Sequence, residues 1–196
     1  MEKRNSVPKP SVGGIIIAEP FLIDSYFARS TVLITEFDQW GTRGFIFNKI
    51  TDKSVNEAVD EFPFIDAQLY FGGPVEDDTL YYVHTIGKKL ENSVMLGENL
   101  WWGGNYDQLL FLIDTKQVRP NQIRFFAGYA GWEPHQLEFE ISEKSWIVHQ
   151  SSPSIRADVK KWIFDYAPEN LWGDVLRSMG DKYKLLANFP SDPNLN

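Results

Sequence analysis

The segment Asp38-Gln39-Trp40-Gly41-Thr42-Arg43-Gly44 separates two short, apolar and β-branched runs, residues 31–36 and 45–47. Turn formers at that density between two such runs join neighbouring strands as an antiparallel hairpin, because a parallel crossover needs about a dozen residues or more. A sheet built only from βαβ units is therefore excluded. Further strand signals fall at residues 14–18, 68–71, 80–86, 93–96, 122–129 and 145–149. Helix signals interleave with them at 54–62, 106–118, 134–141 and 168–179. Ser54 and Glu57 form a capping box, Asn105 is placed to cap the second helix, and Pro134 and Pro168 suit first turns. Pro63 and Gly180 mark helix ends. Residues 21–30 read as a loop or short helical turn, 161–164 as a short apolar run, and 188–196 as an extended tail. The pattern predicts the α+β class. It also predicts one domain, residues 12–196, behind a loose arm at 1–11 that carries Pro8 and Pro10.

Composition narrows the function classes. A chain of 196 residues that is 43% hydrophobic, with 14 Phe, 8 Tyr and 7 Trp, can bury a core without disulfides or metals. It has no cysteine, which removes thiol nucleophiles and thiolate zinc sites. The run Ile15-Ile16-Ile17 is too short for a signal peptide or a membrane span, so the expected location is the cytoplasm, with no membrane partner. Net charge is −8, and the basic pairs Lys3–Arg4, Lys88–Lys89 and Lys160–Lys161 are small and scattered. A phosphate backbone needs clustered cations, so direct nucleic-acid contact is disfavoured.

The usual chemical signatures are missing. There is no Gly-x-Ser-x-Gly elbow, no Gly-x-Gly-x-x-Gly and no P-loop, and no cofactor is expected. The three histidines, His84, His135 and His149, have no paired metal spacing, and His84 and His149 sit on strands, where a structural role is the ordinary one. His135 and Glu138, three apart on a short helix, supply two ligands at most, so no metal is expected. Gly72-Gly73-Pro74-Val75 reads either as a tight turn or as a close backbone approach to a ligand. Acidic Glu76-Asp77-Asp78 behind it argues against an anion. Glu133, Glu138 and Glu140 around the short helix read as an acidic, solvated face.

The most distinctive segment is Phe125-Phe126-Ala127-Gly128-Tyr129-Ala130-Gly131-Trp132-Glu133-Pro134-His135-Gln136-Leu137-Glu138. It closely resembles the signature of the bacterial AlgH/YqgE family. Gly14 to Pro20, Ser30-Thr31-Val32-Leu33 with Gly41, Gly44 and Asn48, Gly72-Gly73-Pro74-Val75, Val83-His84, Trp146, Trp172 and Gly180 follow in the family's order. Two positions depart from its pattern: Phe37 stands where histidine is usual, and His135 where glycine is common. The resemblance implies an α+β domain with a strongly curved, barrel-like, mostly antiparallel sheet flanked by helices. It implies a small cytoplasmic protein, and some members carry a transcriptional-regulator label linked to alginate control. It implies no defined reaction.

Two readings follow. In the first, the chain is a regulatory module that binds a small molecule or a protein partner through one pocket. The ligand-binding candidates are Asn48, Gly72, Gly73, Pro74, Gly128, Gly131, Trp132, Gln136 and Glu138. Against it stands the alternative that the glycines serve turns and Trp132 is core. In the second, the chain is a hydrolase with His84 as its base, helped by Asn48 or Glu138.

Overall fold

The computed structural model describes residues 9–149 and 153–190. Most of the expected arm, and residues 191–196 of the expected tail, lie outside these. Among the described residues, ten strands form one sheet: β1 (Ile15–Ala18), β2 (Thr31–Asp38), β3 (Gly41–Ile46), β4 (Ile50–Ser54), β5 (Gln68–Phe71), β6 (Val75–His84), β7 (Val94–Gly97), β8 (Leu100–Trp102), β9 (Ile123–Trp132) and β10 (Trp146–His149). The α-helices of the described residues are α1 (Val55–Ala58), α2 (Tyr106–Asp114), α3 (Gln136–Ser142), α4 (Pro153–Phe164), α5 (Pro168–Ser178) and α6 (Asp181–Ala187). The strand order is β10-β1-β2-β3-β9-β6-β8-β7, with β4 and β5 attached beside β9. This is the expected single-domain α+β fold. Among the described residues the sheet nevertheless keeps free edges at β10, β7 and β4, and does not close into a barrel.

Alternation in the strands explains why helices cover both faces. Ile15, Ile17, Leu33, Phe45 and Phe47 point into a core shared with Val159, Trp162 and Ile163 of α4 and Leu171, Trp172, Val175 and Leu176 of α5. Their neighbours Ile16, Ala18, Val32, Ile34 and Ile46 point the other way, onto Leu137 and Ile141 of α3 and Trp146 and Val148 of β10. A third cluster joins β5, β6 and β9 to α1 and α2. Period-two strands that are apolar on both faces must be covered on both faces. The Phe45 and Phe126 rings stack at 4.9 Å across the first core.

β9 organises the sheet. One edge pairs antiparallel with β6 from Ile123 to Tyr129. The other edge pairs parallel with β5 through Phe125, Phe126 and Ala127, then antiparallel with β3 from Ala130 to Trp132. The partner changes at Gly128, whose φ is +67°.

Several local expectations are extended or displaced. The hairpin is tighter than the turn-rich segment suggested: Gly41–Gly44 pair within β3, leaving Gln39 and Trp40 at the tip. The Ser54–Glu57 capping box is present, yet α1 is a single turn, and Val59 is already extended. α3 starts after His135 rather than at Pro134. The apolar run 161–164 is the end of α4. Gly180, with φ +107°, stands before α6 instead of forming the cap of α5, which is Met179. β4, β8 and α6 had no signal that the periodicity could isolate.

Candidate binding site

The glycines of the two distinctive segments meet each other. A Cβ at Gly72 would lie 2.2 Å from the Gly128 carbonyl oxygen, and one at Gly73 would lie 2.2 Å from the Tyr129 carbonyl carbon. One at Gly128 would lie 2.4 Å from the Gly73 oxygen. Gly72 N–H donates to Ala127 O at 2.8 Å, and Gly72 O accepts from Ile46 N–H at 2.8 Å. Gly72, Gly73 and Gly128 are therefore occupied by a crossing of two backbones, with no space there for a ligand. Pro74 leads out of the crossing into β6.

Beyond the crossing, β9 runs along β3 and ends beside the β2–β3 tip. An open groove of about 440 Å³ lies between them, lined by Glu36, Asp38, Trp40, Arg43, Val75, Tyr129, Gly131, Trp132, Glu133 and Gln136, among others. Gly41 lets the tip come in, because its φ is +134° and a Cβ there would lie 2.4 Å from Trp132 O. Trp40 is 80% exposed. Asp38 Oδ1 accepts from Trp40 N–H at 2.7 Å, which fixes the turn. The Arg43 guanidinium lies 4.8 Å from the Tyr129 ring centroid, and its Nε is 3.7 Å from Glu36 Oε2.

The groove wall is held by an acid that the sequence placed on a solvated face. Glu140 is half-buried. Its Oε2 accepts from the indole N–H groups of Trp132 (2.9 Å) and Trp146 (2.8 Å), and its Oε1 accepts from Gln136 Nε2 (2.8 Å). Gln136 Oε1 in turn accepts from Glu133 N–H at 2.9 Å. Trp132 and Gln136 thus do line a groove, while their polar atoms are committed to shaping it.

The other sequence candidates lie apart. Asn48 Oδ1 accepts from Thr31 N–H at 2.8 Å, and its Nδ2 donates to Arg29 O at 2.9 Å, so it clamps a turn and does not line this groove. Glu138 is outside the groove lining, and its Oε1 lies 3.9 Å from Nδ1 of an almost wholly exposed His135. No group of three or more possible metal ligands occurs among the described residues. Sequence reading passed over Glu36, Asp38, Trp40, Arg43, Tyr129 and Glu140. The only local signal was a tryptophan among turn formers.

A family profile described as AlgH-like matches residues 15–184. The chain belongs to the AlgH-like family. A UPF0301 protein of Cytophaga hutchinsonii is 40% identical over 186 residues, covering 94% of this chain and 98% of the relative. One of Chlorobium limicola is 36% identical over 192 residues, covering 98% and 99%. A crystal structure from Corynebacterium diphtheriae superposes with a TM-score of 0.72 at 26% identity, covering 96% of this chain and 95% of that one. The solution structure of AlgH from Pseudomonas aeruginosa gives 0.68 at 26%, covering 97% and 98%.

Within the AlgH-like pattern, one departure gains a physical explanation. His135 has φ +67°, a left-handed conformation that glycine adopts freely and other residues rarely do. The turn into α3 is therefore one that favours glycine at this position.

His84 does not have the setting of a catalytic base. It is fully buried. Its Nε2 lies 3.1 Å from both Gly103 O and Ser93 Oγ. A carbonyl only accepts, so Nε2 carries the proton and cannot take one from Ser93. Burial pushes the ring down to about 4 from 6.5, against the hydrogen bond to Gly103, which raises it. The unfolded chain therefore binds more protons between these values. The His84 contribution is complete above about pH 6.5 and is lost as pH falls to about 4, costing on the order of 3 kcal/mol. Urea melts of wild type and His84→Phe across this window isolate the effect from the carboxylates. The expected result is a shallower decline in the variant, and parallel declines would refute it. No helix among the described residues is long and apolar enough to cross a membrane.

Proposed function

We propose that this AlgH-like chain is a protein-binding module whose groove takes a basic side chain of a partner. The supporting observation is the lining itself. Glu36, Asp38 and Glu133 line the groove together with the exposed Trp40, and Arg43, the one cation among its described lining residues, is occupied by Glu36 and Tyr129. Carboxylates beside an open aromatic face suit a guanidinium or ammonium group through charge-assisted hydrogen bonds and cation–π attraction. An acidic groove on a chain of net charge −8 repels nucleic acid, so a regulatory role runs through protein contact.

The test is an NMR titration with a short arginine-containing peptide, followed on the Trp40 indole resonance. The citrulline analogue, neutral and nearly isosteric, is the control. Saturable shifts with the arginine peptide alone are expected, weakened roughly tenfold in Asp38→Asn/Glu133→Gln because two partly exposed pairs are lost. Equal shifts with both peptides would defeat the reading.

A further inference from the structure

A second cavity, about 390 Å³, shares no lining residue with the groove and has the opposite charge. Its lining cations are Arg29, Lys49 and Arg177, against one acid, Glu169, in a protein whose acids outnumber its bases. We infer that this cavity binds a phosphate-bearing small molecule.

Arg29 is the best prepared of the three. Asn48 clamps the backbone that follows it, bonding Arg29 O and Thr31 N–H on either side of Ser30, and Arg29 itself stands at φ +52°. Its guanidinium lies 4.4 Å from the Trp172 ring centroid. That ring is itself fixed, since Trp172 Nε1 donates to Ala18 O at 2.9 Å. Stacking occupies the guanidinium face and leaves its edge donors for an acceptor, one of which already bonds to Phe189 O. No carboxylate pairs with Arg29 among the described residues.

Lys49 adds a half-buried ammonium. It donates to Tyr26 O at 2.6 Å and has Asp24 nearby. Burial draws its pKa below the usual value, as expected for a cation whose water has been removed and only partly replaced. Arg177 completes the set from α5. It bonds to Asp174 at 2.7 Å through one nitrogen, and its guanidinium lies over Gly173, where a Cβ would come within 3.0 Å. Glycine inside a helix costs stability, and here it makes room for the Arg177 guanidinium at the cavity. Two guanidiniums and an ammonium around one small cavity match the several oxygens of a phosphate group.

The asparagine that the family signature singled out thus acts as a positioning residue for Arg29, and it belongs to this cavity rather than to the groove.

The test uses the full chain, titrated with inorganic phosphate and with phosphoserine at constant ionic strength set by chloride. The Trp172 indole and Arg29 Nε–H resonances report binding. Saturable shifts are expected for both probes, roughly tenfold weaker in Arg29→Gln and in Lys49→Gln. Circular dichroism verifies that the variants fold, and Arg177→Gln, on an exposed helix surface, gives a third point if either does not. Linear, chloride-like shifts, or saturable shifts unchanged in every folded variant, would overturn the inference. Binding to phosphatidylglycerol vesicles without response to either soluble probe would overturn it too, by assigning the cations to a membrane surface. The groove titration with the arginine peptide is independent of all these outcomes.

Discussion

Alanine at Gly128 is expected to leave the chain unable to fold. Two penalties coincide there. The residue sits at φ +67°, and a methyl group would lie 2.4 Å from Gly73 O, 2.8 Å from Val75 O and 2.9 Å from Asp77 Cα. All three obstacles are backbone, so no side chain can swing away. A loss above roughly 4 kcal/mol follows, comparable to the whole stability of an ordinary domain. Two other glycines separate the contributions. Gly103 has φ +63° with open space around its Cβ, and Gly97 has open space without a positive φ. Gly97→Ala should be nearly neutral, and Gly103→Ala should cost about 1 kcal/mol, the conformational part alone. Urea denaturation of the three variants reads the series directly. A soluble, cooperatively melting Gly128→Ala protein would show that the backbone crossing is looser than described.

The second large effect is expected at Glu140. Truncation to alanine strands two indole N–H groups in a half-buried site and removes the exposed Gln136 amide's partner. Hydrogen bonds to a charged acceptor are the stronger kind, and leaving buried donors unpaired adds to their loss. We expect Glu140→Ala to cost about 3 kcal/mol, with a red shift of tryptophan emission as Trp132 and Trp146 become wetter. Glu140→Gln should cost about a third of that. Its carbonyl oxygen can still accept from both indoles, and only the contact with Gln136 becomes donor against donor. Equal losses in the two variants would mean that the site measures charge and not hydrogen-bond geometry. A cost below about 1 kcal/mol in Glu140→Ala would mean that the three bonds contribute little.

Local chemistry in the chain was legible, and long-range geometry was not. The Ser54–Glu57 box, the Asn105 cap and the β2–β3 hairpin each depend on residues within one turn of one another, and all are present. The strand faces of Trp146 and Val148 followed from period two. The parallel pairing of β5 with β9 was invisible, because a strand's sequence carries no mark of its partner's direction. β8 is three residues long, and most of β4 is polar, so neither offers a period to detect. Within the groove, Gly131, Trp132 and Gln136 were read as belonging together because they are neighbours in sequence. The hairpin tip that faces them comes from nearly a hundred residues earlier. Asn48 was assigned to the same pocket on motif grounds alone, and the fold carries it to the other cavity. Glu140 looked solvated because nothing local reveals that Trp132 and Trp146 both turn their N–H groups toward it.

The position of β9 in the sheet also fixes a timetable. β3, β5 and β6 each depend on it for one edge, yet all three are translated first. A nascent chain that has not yet delivered residue 132 therefore shows three strand edges with their backbone groups unpaired. Such edges are templates for pairing with other chains. Birth on the ribosome, more than life as a folded domain, is when this protein is most exposed to aggregation and most in need of a chaperone.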